Sequence, residues 1–137
     1  MNKSITFIAQ FPPPIHGLSK AVDTLYHSCL NDKYEFVAIN ITNNKAISKT
    51  LWNIWRSGSD LYYFTISQTK GGNWRDLLIL KLLEWKQAKC LIHLHGGYYR
   101  QLVDSNCGKW QRRLNYHAIR RLAGCIVLGR SLQPIFE

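Results

Sequence analysis

The alternation of short apolar segments with stretches of helical periodicity constrains this chain more than any other feature of its sequence. Strand patterns are predicted at residues 4–11, 34–41, 60–66, 90–94 and 125–128. Helical patterns are predicted between them, at residues 18–30, 46–55, 74–87 and 109–123. Regular alternation of this kind predicts βαβ units. The expected fold class is therefore α/β: a parallel sheet of about five strands with helices on both faces.

Two segments predict how deeply their elements are buried. Residues 60–66 are apolar almost without interruption, which is typical of a strand covered on both faces. The apolar residues of the third helical segment, between Leu77 and Leu83, are spread around most of its circumference, so this helix is expected to be well buried. Asn73 is predicted to be its N-cap. Gly124 is predicted to end the fourth helix, and residues 131–137 resemble the first turns of another.

Length and charge narrow the possible partners. The chain has 137 residues, which predicts one domain spanning residues 1–137. Its 18 Lys and Arg outnumber 8 Asp and Glu, giving a formal charge of +10. This charge favours phosphate-bearing ligands, nucleic acid or an acidic membrane surface. Nucleic acid is the weakest of the three, because no helix-turn-helix, RRM or KH signature accompanies the charge.

Several classes of protein are disfavoured because the sequence lacks their motifs. There is no G-x-x-x-x-G-K-[ST] phosphate loop, no G-x-S-x-G elbow and no G-x-G-x-x-G fingerprint. The four cysteines are scattered, which argues against a zinc knuckle or a disulfide framework and favours the reducing cytosol. No segment has the roughly 18 apolar residues that a membrane-spanning helix requires.

The loop after the first predicted strand contains a candidate binding site. It reads Pro-Pro-Pro-Ile-His16-Gly17-Leu18-Ser19. A glycine where a strand turns into a helix can expose backbone N–H groups to a phosphate. The alternative is that Gly17 only makes a tight turn.

The loop after the fourth strand contains the candidate catalytic residue. It reads His93-Leu-His95-Gly96-Gly97-Tyr-Tyr-Arg100. His95 adjoins two glycines, where backbone can approach a ligand closely, whereas His93 lies within the strand and fits a hydrogen-bonded core histidine. No third ligand stands at zinc-site spacing, so no metal is predicted.

The fourth helix combines basic and aromatic residues. Basic residues share one arc of this helix, and Trp110, Leu114 and two further apolar residues share another, which is expected to pack. Basic and aromatic residues together suit an anionic membrane surface, and Trp52, Trp55 and Arg56 of the second helix extend the patch. An ordinary solvated surface is the alternative. The candidate membrane-binding residues are Lys109, Trp110, Arg112, Arg113 and Arg120.

Taken together, the loops resemble the N-terminal, Rossmann-like domain of a family-four GT-B glycosyltransferase of the bacterial exopolysaccharide and capsule type. Three stretches carry the resemblance: residues 12–19, residues 71–77 (Gly-Gly-Asn-Trp-Arg-Asp-Leu) and residues 93–97. Residues 120–129 also resemble the segment that leads into the family's fifth strand. The ordered combination is much more specific than any single piece.

The resemblance implies retaining, metal-independent transfer of a sugar from a nucleotide-sugar donor to a lipid-linked saccharide acceptor, without a cofactor. It places His95 near the transferred sugar as the catalytic candidate. The candidate substrate-binding residues are His16, Gly17, Leu18, Ser19, Gly96, Gly97 and Arg100. The enzyme is expected at the cytoplasmic face of the plasma membrane, bound peripherally to anionic lipid.

The family's second, donor-binding domain has no counterpart among these residues. We therefore expect that this chain lacks transfer activity alone, and that a separate C-terminal-domain protein is a possible partner. The same expectation applies whether the chain is an excised domain, a truncated product or half of a split enzyme. A different class of function is also compatible with the sequence: a non-catalytic module that binds a partner protein or an anionic membrane through its basic face.

Overall fold

The fold is a five-stranded, entirely parallel sheet with helices on both faces. The structure is a computed structural model that describes residues 3–12, 17–42, 46–67, 69–94, 99–127 and 130. The strands are β1 (Ser4–Ala9), β2 (Glu35–Asn40), β3 (Leu61–Thr65), β4 (Cys90–His93) and β5 (Gly124–Ile126). The helices are α1 (Gly17–Tyr26), α2 (Ile47–Arg56), α3 (Lys70–Trp85), α4 (Tyr99–Gln101) and α5 (Lys109–Arg120). The predicted fold class is confirmed.

The strand order is β2-β1-β3-β4-β5. The chain runs from β1 outward to β2, then crosses back over β1 to β3 and continues in the opposite direction. Register is continuous across the centre, with Ile8 beside Phe64 and Phe64 beside Ile92. The direction of winding therefore reverses between β1 and β3.

The reversal places the helices in two layers of unequal size. On one face, α1 packs through Val22 against Phe7 and Tyr63 of the central strands. On the other face, α2, α3 and α5 pack side by side over a larger core that includes Ile54, Ile79 and the partly buried Leu122. The central strand β3 is buried along nearly its whole length, as its continuous apolarity predicted.

The third helix begins earlier than predicted. It starts at Lys70, and its N-cap is Thr69, whose hydroxyl accepts the N–H of Gly72 at 3.1 Å. The prediction that Asn73 caps this helix is wrong, because Asn73 lies inside the first turn and is buried. A Cβ at Gly72 would overlap the side chain of Ser67, so this close approach requires glycine.

The prediction that apolar residues bury most of α3 is also wrong along one stripe. Trp74, Leu78 and Trp85 follow one another at helical spacing on its solvent side, and Leu78 is 53% exposed. The rest of the helix packs as expected, because Leu77, Ile79 and other apolar residues of α3 face the sheet and its neighbouring helices.

The segment before α5 forms a short helical connection that the sequence did not predict. After the three residues of α4, residues Leu102–Asn106 form a π-helical turn, closed by the N–H of Cys107 on the carbonyl of Leu102 at 3.0 Å. Helix α5 then ends at Arg120, and Gly124 is the first residue of β5 rather than the end of the helix as predicted. Residues 131–137 lie outside the described residues.

Candidate functional site

The candidate site is the carboxyl edge of the sheet, where the winding reverses between β1 and β3. In open parallel sheets, the loops that follow two such strands diverge to opposite faces and leave a crevice between them. Ligands bind in that crevice. Helix α1 begins at this edge with Gly17, as the sequence predicted for its first loop. Ser19 is fully buried in the first turn, and Leu18 packs against the core on the α1 face.

Four of the predicted site residues lie outside the described residues: His16, His95, Gly96 and Gly97. Two described residues close to either end of segment 95–98, His93 and Tyr99, are each held by side-chain contacts. His93 ends β4 on one side, and Tyr99 begins α4 on the other.

His93 is held by a tyrosine of the neighbouring strand. The phenol of Tyr63 forms a hydrogen bond with Nδ1 of His93, and the two rings meet edge to face with centroids 5.7 Å apart. Burial raises the pKa of Tyr63, so the phenol keeps its proton and can donate it. His93 is therefore hydrogen-bonded within its strand, as interpreted from the sequence, but it is half-buried rather than a core residue.

Tyr99 is held by a buried network of amide side chains. Its phenol donates to Oδ1 of Asn115 at 2.7 Å. Asn115 and Asn73 exchange reciprocal hydrogen bonds of 2.7 and 2.8 Å, and Gln111 donates to Asn73 at 2.9 Å. This network joins α3, α4 and α5, so the chain that re-emerges at Tyr99 has a fixed position.

A buried ion pair supports the loops after β2 and β3. Arg75 contacts Oδ1 of Asp76 at 2.8 Å and reaches the carbonyl of Ile41, while Oδ2 of Asp76 accepts the N–H of Ser67 at 2.6 Å. Burial raises the pKa of Asp76, against the opposing effects of Arg75 and the Ser67 N–H. The pair fastens two loops of the carboxyl edge to the start of α3. Arg75 and Asp76 were not predicted as functional, because their spacing has no catalytic signature.

Thr65 has a buried hydroxyl that forms no hydrogen bond with any described residue. It is the last residue of β3, it pairs in register with His93, and only 2% of its surface is exposed. Within the described part of the chain its Oγ1 has no hydrogen-bond partner. Buried polar atoms are nearly always paired, so this hydroxyl is a candidate contact for a group outside the described residues.

Arg100, a predicted substrate-binding residue, lies in an ion-pair cluster behind this edge. Its Nε contacts Oδ2 of Asp104 at 2.9 Å, and Oδ1 of the same carboxylate accepts the phenol of Tyr116 at 2.7 Å. Arg112 approaches Asp104 at 3.6 Å. The hydrogen bonds from Tyr116 and Arg100 lower the pKa of Asp104. The cluster joins the π-helical turn to α5.

The predicted membrane-binding residues share one exposed surface of α5. Lys109, Arg112, Arg113 and Arg120 border an open groove of about 540 Å³ along this helix. The prediction that Trp110 and Leu114 pack is wrong, since they are 74% and 45% exposed. Ala118 and, just after the helix, Leu122 do pack as predicted, together with Ile119 and the buried amides Gln111 and Asn115. The rule of apolar spacing failed because buried amides occupy the positions nearest the sheet.

The described residues contain no cluster of three metal-ligating side chains. Among them, no helix combines the length and apolarity needed to span a membrane. No protein-family model, no curated protein and no solved structure matches this chain.

Proposed function

We propose that this chain is the acceptor-side half of a retaining GT-B glycosyltransferase, which transfers a sugar from a nucleotide-sugar donor to a lipid-linked polysaccharide precursor. The donor-binding half would come from residues beyond these 137 or from a separate protein. A chain without that half is expected to be inactive, because the groups that stabilise the leaving diphosphate belong to it.

The observation that carries the proposal is the reversal of winding between β1 and β3, with polar residues at the carboxyl edge of the sheet beside it. Ser19 lies in the first turn of α1, Thr65 ends β3, and His93 ends β4. The buried Thr65 hydroxyl, unpaired within the described residues, supports a ligand with a hydrogen-bonding group, such as a saccharide hydroxyl. The ordered sequence resemblance supports the choice of reaction.

Each half of the crevice would have a distinct task. Gly17 and the start of α1 would lie against the donor phosphates, where helix N-terminal N–H groups favour an anion. His95, with Gly96 and Gly97 allowing close approach of backbone, would contact the transferred sugar. The fixed positions of His93 and Tyr99 would hold the two ends of this segment in place during transfer.

A transfer assay tests the proposal. Membranes containing the lipid-linked acceptor are incubated with radiolabelled UDP-glucose, UDP-N-acetylglucosamine or GDP-mannose, and incorporation into the lipid fraction is measured. The chain is tested alone and together with the protein that co-purifies with it. We expect incorporation only with the partner, and loss of about 100-fold or more in the His95→Ala variant.

His27→Ala is the matched control, because His27 is an exposed histidine at the far end of α1. It should retain normal transfer. Equal transfer by His95→Ala and His27→Ala would remove His95 from the site. Absence of transfer with every donor in the presence of the partner would contradict the proposed reaction.

A further inference from the structure

All five tryptophans of the chain lie on a single layer of the molecule. Trp52 and Trp55 belong to α2, Trp74 and Trp85 to α3, and Trp110 to α5. Their exposed fractions range from 45% to 78%. Tryptophan is normally highly buried, so concentration of every copy on one solvent-facing layer requires an external explanation.

The three helices form a continuous surface. Helix α3 lies between the other two: the rings of Trp55 and Trp85 meet at 5.9 Å between α2 and α3, and His117 of α5 contacts Glu84 of α3 at 3.2 Å. Leu78 and Leu114 add exposed apolar side chains to the same surface. The α2–α3–α5 layer is therefore a broad face with scattered exposed aromatic residues.

The charges between these tryptophans are almost all positive. Helices α2 and α5 contain no acidic residue. Asp76 of α3 is buried with Arg75, and Glu84 lies within 4 Å of three basic side chains, Lys81, His117 and Arg121. In α5, Arg113 also lies over the ring of Trp110, 5.5 Å from its centroid. Arg112 also approaches Asp104 at 3.6 Å, but basic side chains far outnumber carboxylates on this layer. Amphipathic tryptophan rings among an excess of basic residues match the interface of an anionic bilayer.

We propose that the α2–α3–α5 layer docks on an anionic lipid bilayer, with its tryptophan rings in the headgroup region and its basic side chains on lipid phosphates. A second copy is a poor occupant, since two such positive faces repel each other and the chain carries a charge of +10. A stable protein interface has an apolar centre that is depleted of charged residues. This layer instead combines lysine with single, scattered aromatic residues.

This inference extends the predicted patch on α5 to three helices, and it does not depend on sugar transfer. The docking face covers one side of the sheet, whereas the proposed substrate crevice lies at the carboxyl edge. Binding to lipid and transfer of sugar are therefore separable by experiment, and failure of one leaves the other standing.

Vesicle binding tests the proposal directly. The purified chain is mixed with phosphatidylcholine vesicles containing 30% phosphatidylglycerol, and with pure phosphatidylcholine vesicles, and is then sedimented. We expect binding to the anionic vesicles and little binding to the neutral ones. Brominated lipids should quench most of the tryptophan emission, because every tryptophan of the chain lies on the proposed face.

Charge reversal with a matched control locates the face. The Arg112→Glu/Arg113→Glu variant should bind about 30-fold more weakly. The Lys20→Glu/Lys33→Glu variant changes net charge equally at exposed positions outside the layer, and should lose less than about 3-fold. Circular dichroism of both variants verifies that the fold is retained.

Removal of exposed tryptophan rings distinguishes insertion of those rings into the bilayer from general electrostatic attraction to it. The Trp85→Ala/Trp110→Ala variant should bind about 10-fold more weakly, whereas Tyr34→Ala, an exposed aromatic outside the layer, should bind normally. Equal losses in the two charge-reversed variants, or unquenched emission of the bound chain, would overturn the proposal. Formation of a complex with an acidic protein in the absence of vesicle binding would also overturn it and assign the layer to that protein.

Discussion

Thr65 shows most clearly how a single residue can report function in this molecule. Its hydroxyl is enclosed at the carboxyl end of β3, and no described group pairs with it. Burial of a hydroxyl without a hydrogen bond costs about 1–3 kcal/mol in proteins. A threonine at this position therefore opposes folding, which is understandable if the hydroxyl serves a ligand.

The Thr65→Val variant is predicted to be more stable than the natural chain by about 1 kcal/mol, because the apolar isostere removes the unpaired hydroxyl without leaving a cavity. Urea denaturation measures the difference. Thr6→Val is the matched control. Thr6 is equally enclosed in the same sheet, but its hydroxyl is paired with Ser59, so this variant should lose stability. A destabilised Thr65→Val variant would contradict the assignment of an unpaired hydroxyl.

The π-helical turn and α5 are joined by one carboxylate, that of Asp104. Hydrogen bonds from Tyr116 and Arg100 lower its pKa in the folded chain. A lowered folded pKa means that the carboxylate contributes stability above its ordinary unfolded value of about 3.9. That contribution disappears as the pH falls through the lower folded value.

The Asp104→Asn variant is predicted to be less stable than the natural chain at pH 7, with a difference that shrinks as the pH falls below about 4. Urea midpoints measured from pH 7 to pH 3 give the profile. Asp32→Asn, an exposed carboxylate in the 3₁₀ turn after α1, should change stability by less than about 0.5 kcal/mol at pH 7. A constant difference between Asp104→Asn and the natural chain across this range would refute the link to ionisation.

The elements also show what the sequence could and could not predict. Five strands and four long helices followed from apolar periodicity, because burial on a sheet imposes that periodicity. The ends of α3 were not predictable in this way. Its start is set by Thr69, whose capping contact is local, and its end by Gln87, which adopts a left-handed backbone with φ 56° without being a glycine.

The candidate site was predictable to a similar degree. The first loop and the fourth strand were identified from glycines and histidines at strand ends. The Asn73–Asn115 network was not, because a buried amide is recognisable only once its partner, 42 residues away, is known to be adjacent. The exposure of Trp110 and Leu114 was misjudged because apolar spacing alone does not distinguish a helix face that packs on the sheet from one that stays exposed.

In the molecule as a whole, different sides of one sheet have different proposed tasks. The carboxyl edge, with its reversal between β1 and β3, is the proposed acceptor crevice, and the α2–α3–α5 layer is the proposed lipid face. The amino edge has a cavity of about 840 Å³, bordered by Lys3, Asp60 and Lys89 among other residues. This cavity is the chief rival to the crevice as a binding site.

The most direct test is a two-dimensional ¹H–¹⁵N NMR titration of the 137-residue chain with a water-soluble, short-chain polyprenyl-diphosphate sugar. We expect amide shifts to change at the carboxyl edge, at Ala9, Ser19 and Thr65, and we expect Thr65→Val to weaken binding. Shifts confined to the amino edge, around Lys3 and Lys89, or no shifts at millimolar ligand, would contradict the claim that this chain holds the acceptor in the crevice between β1 and β3.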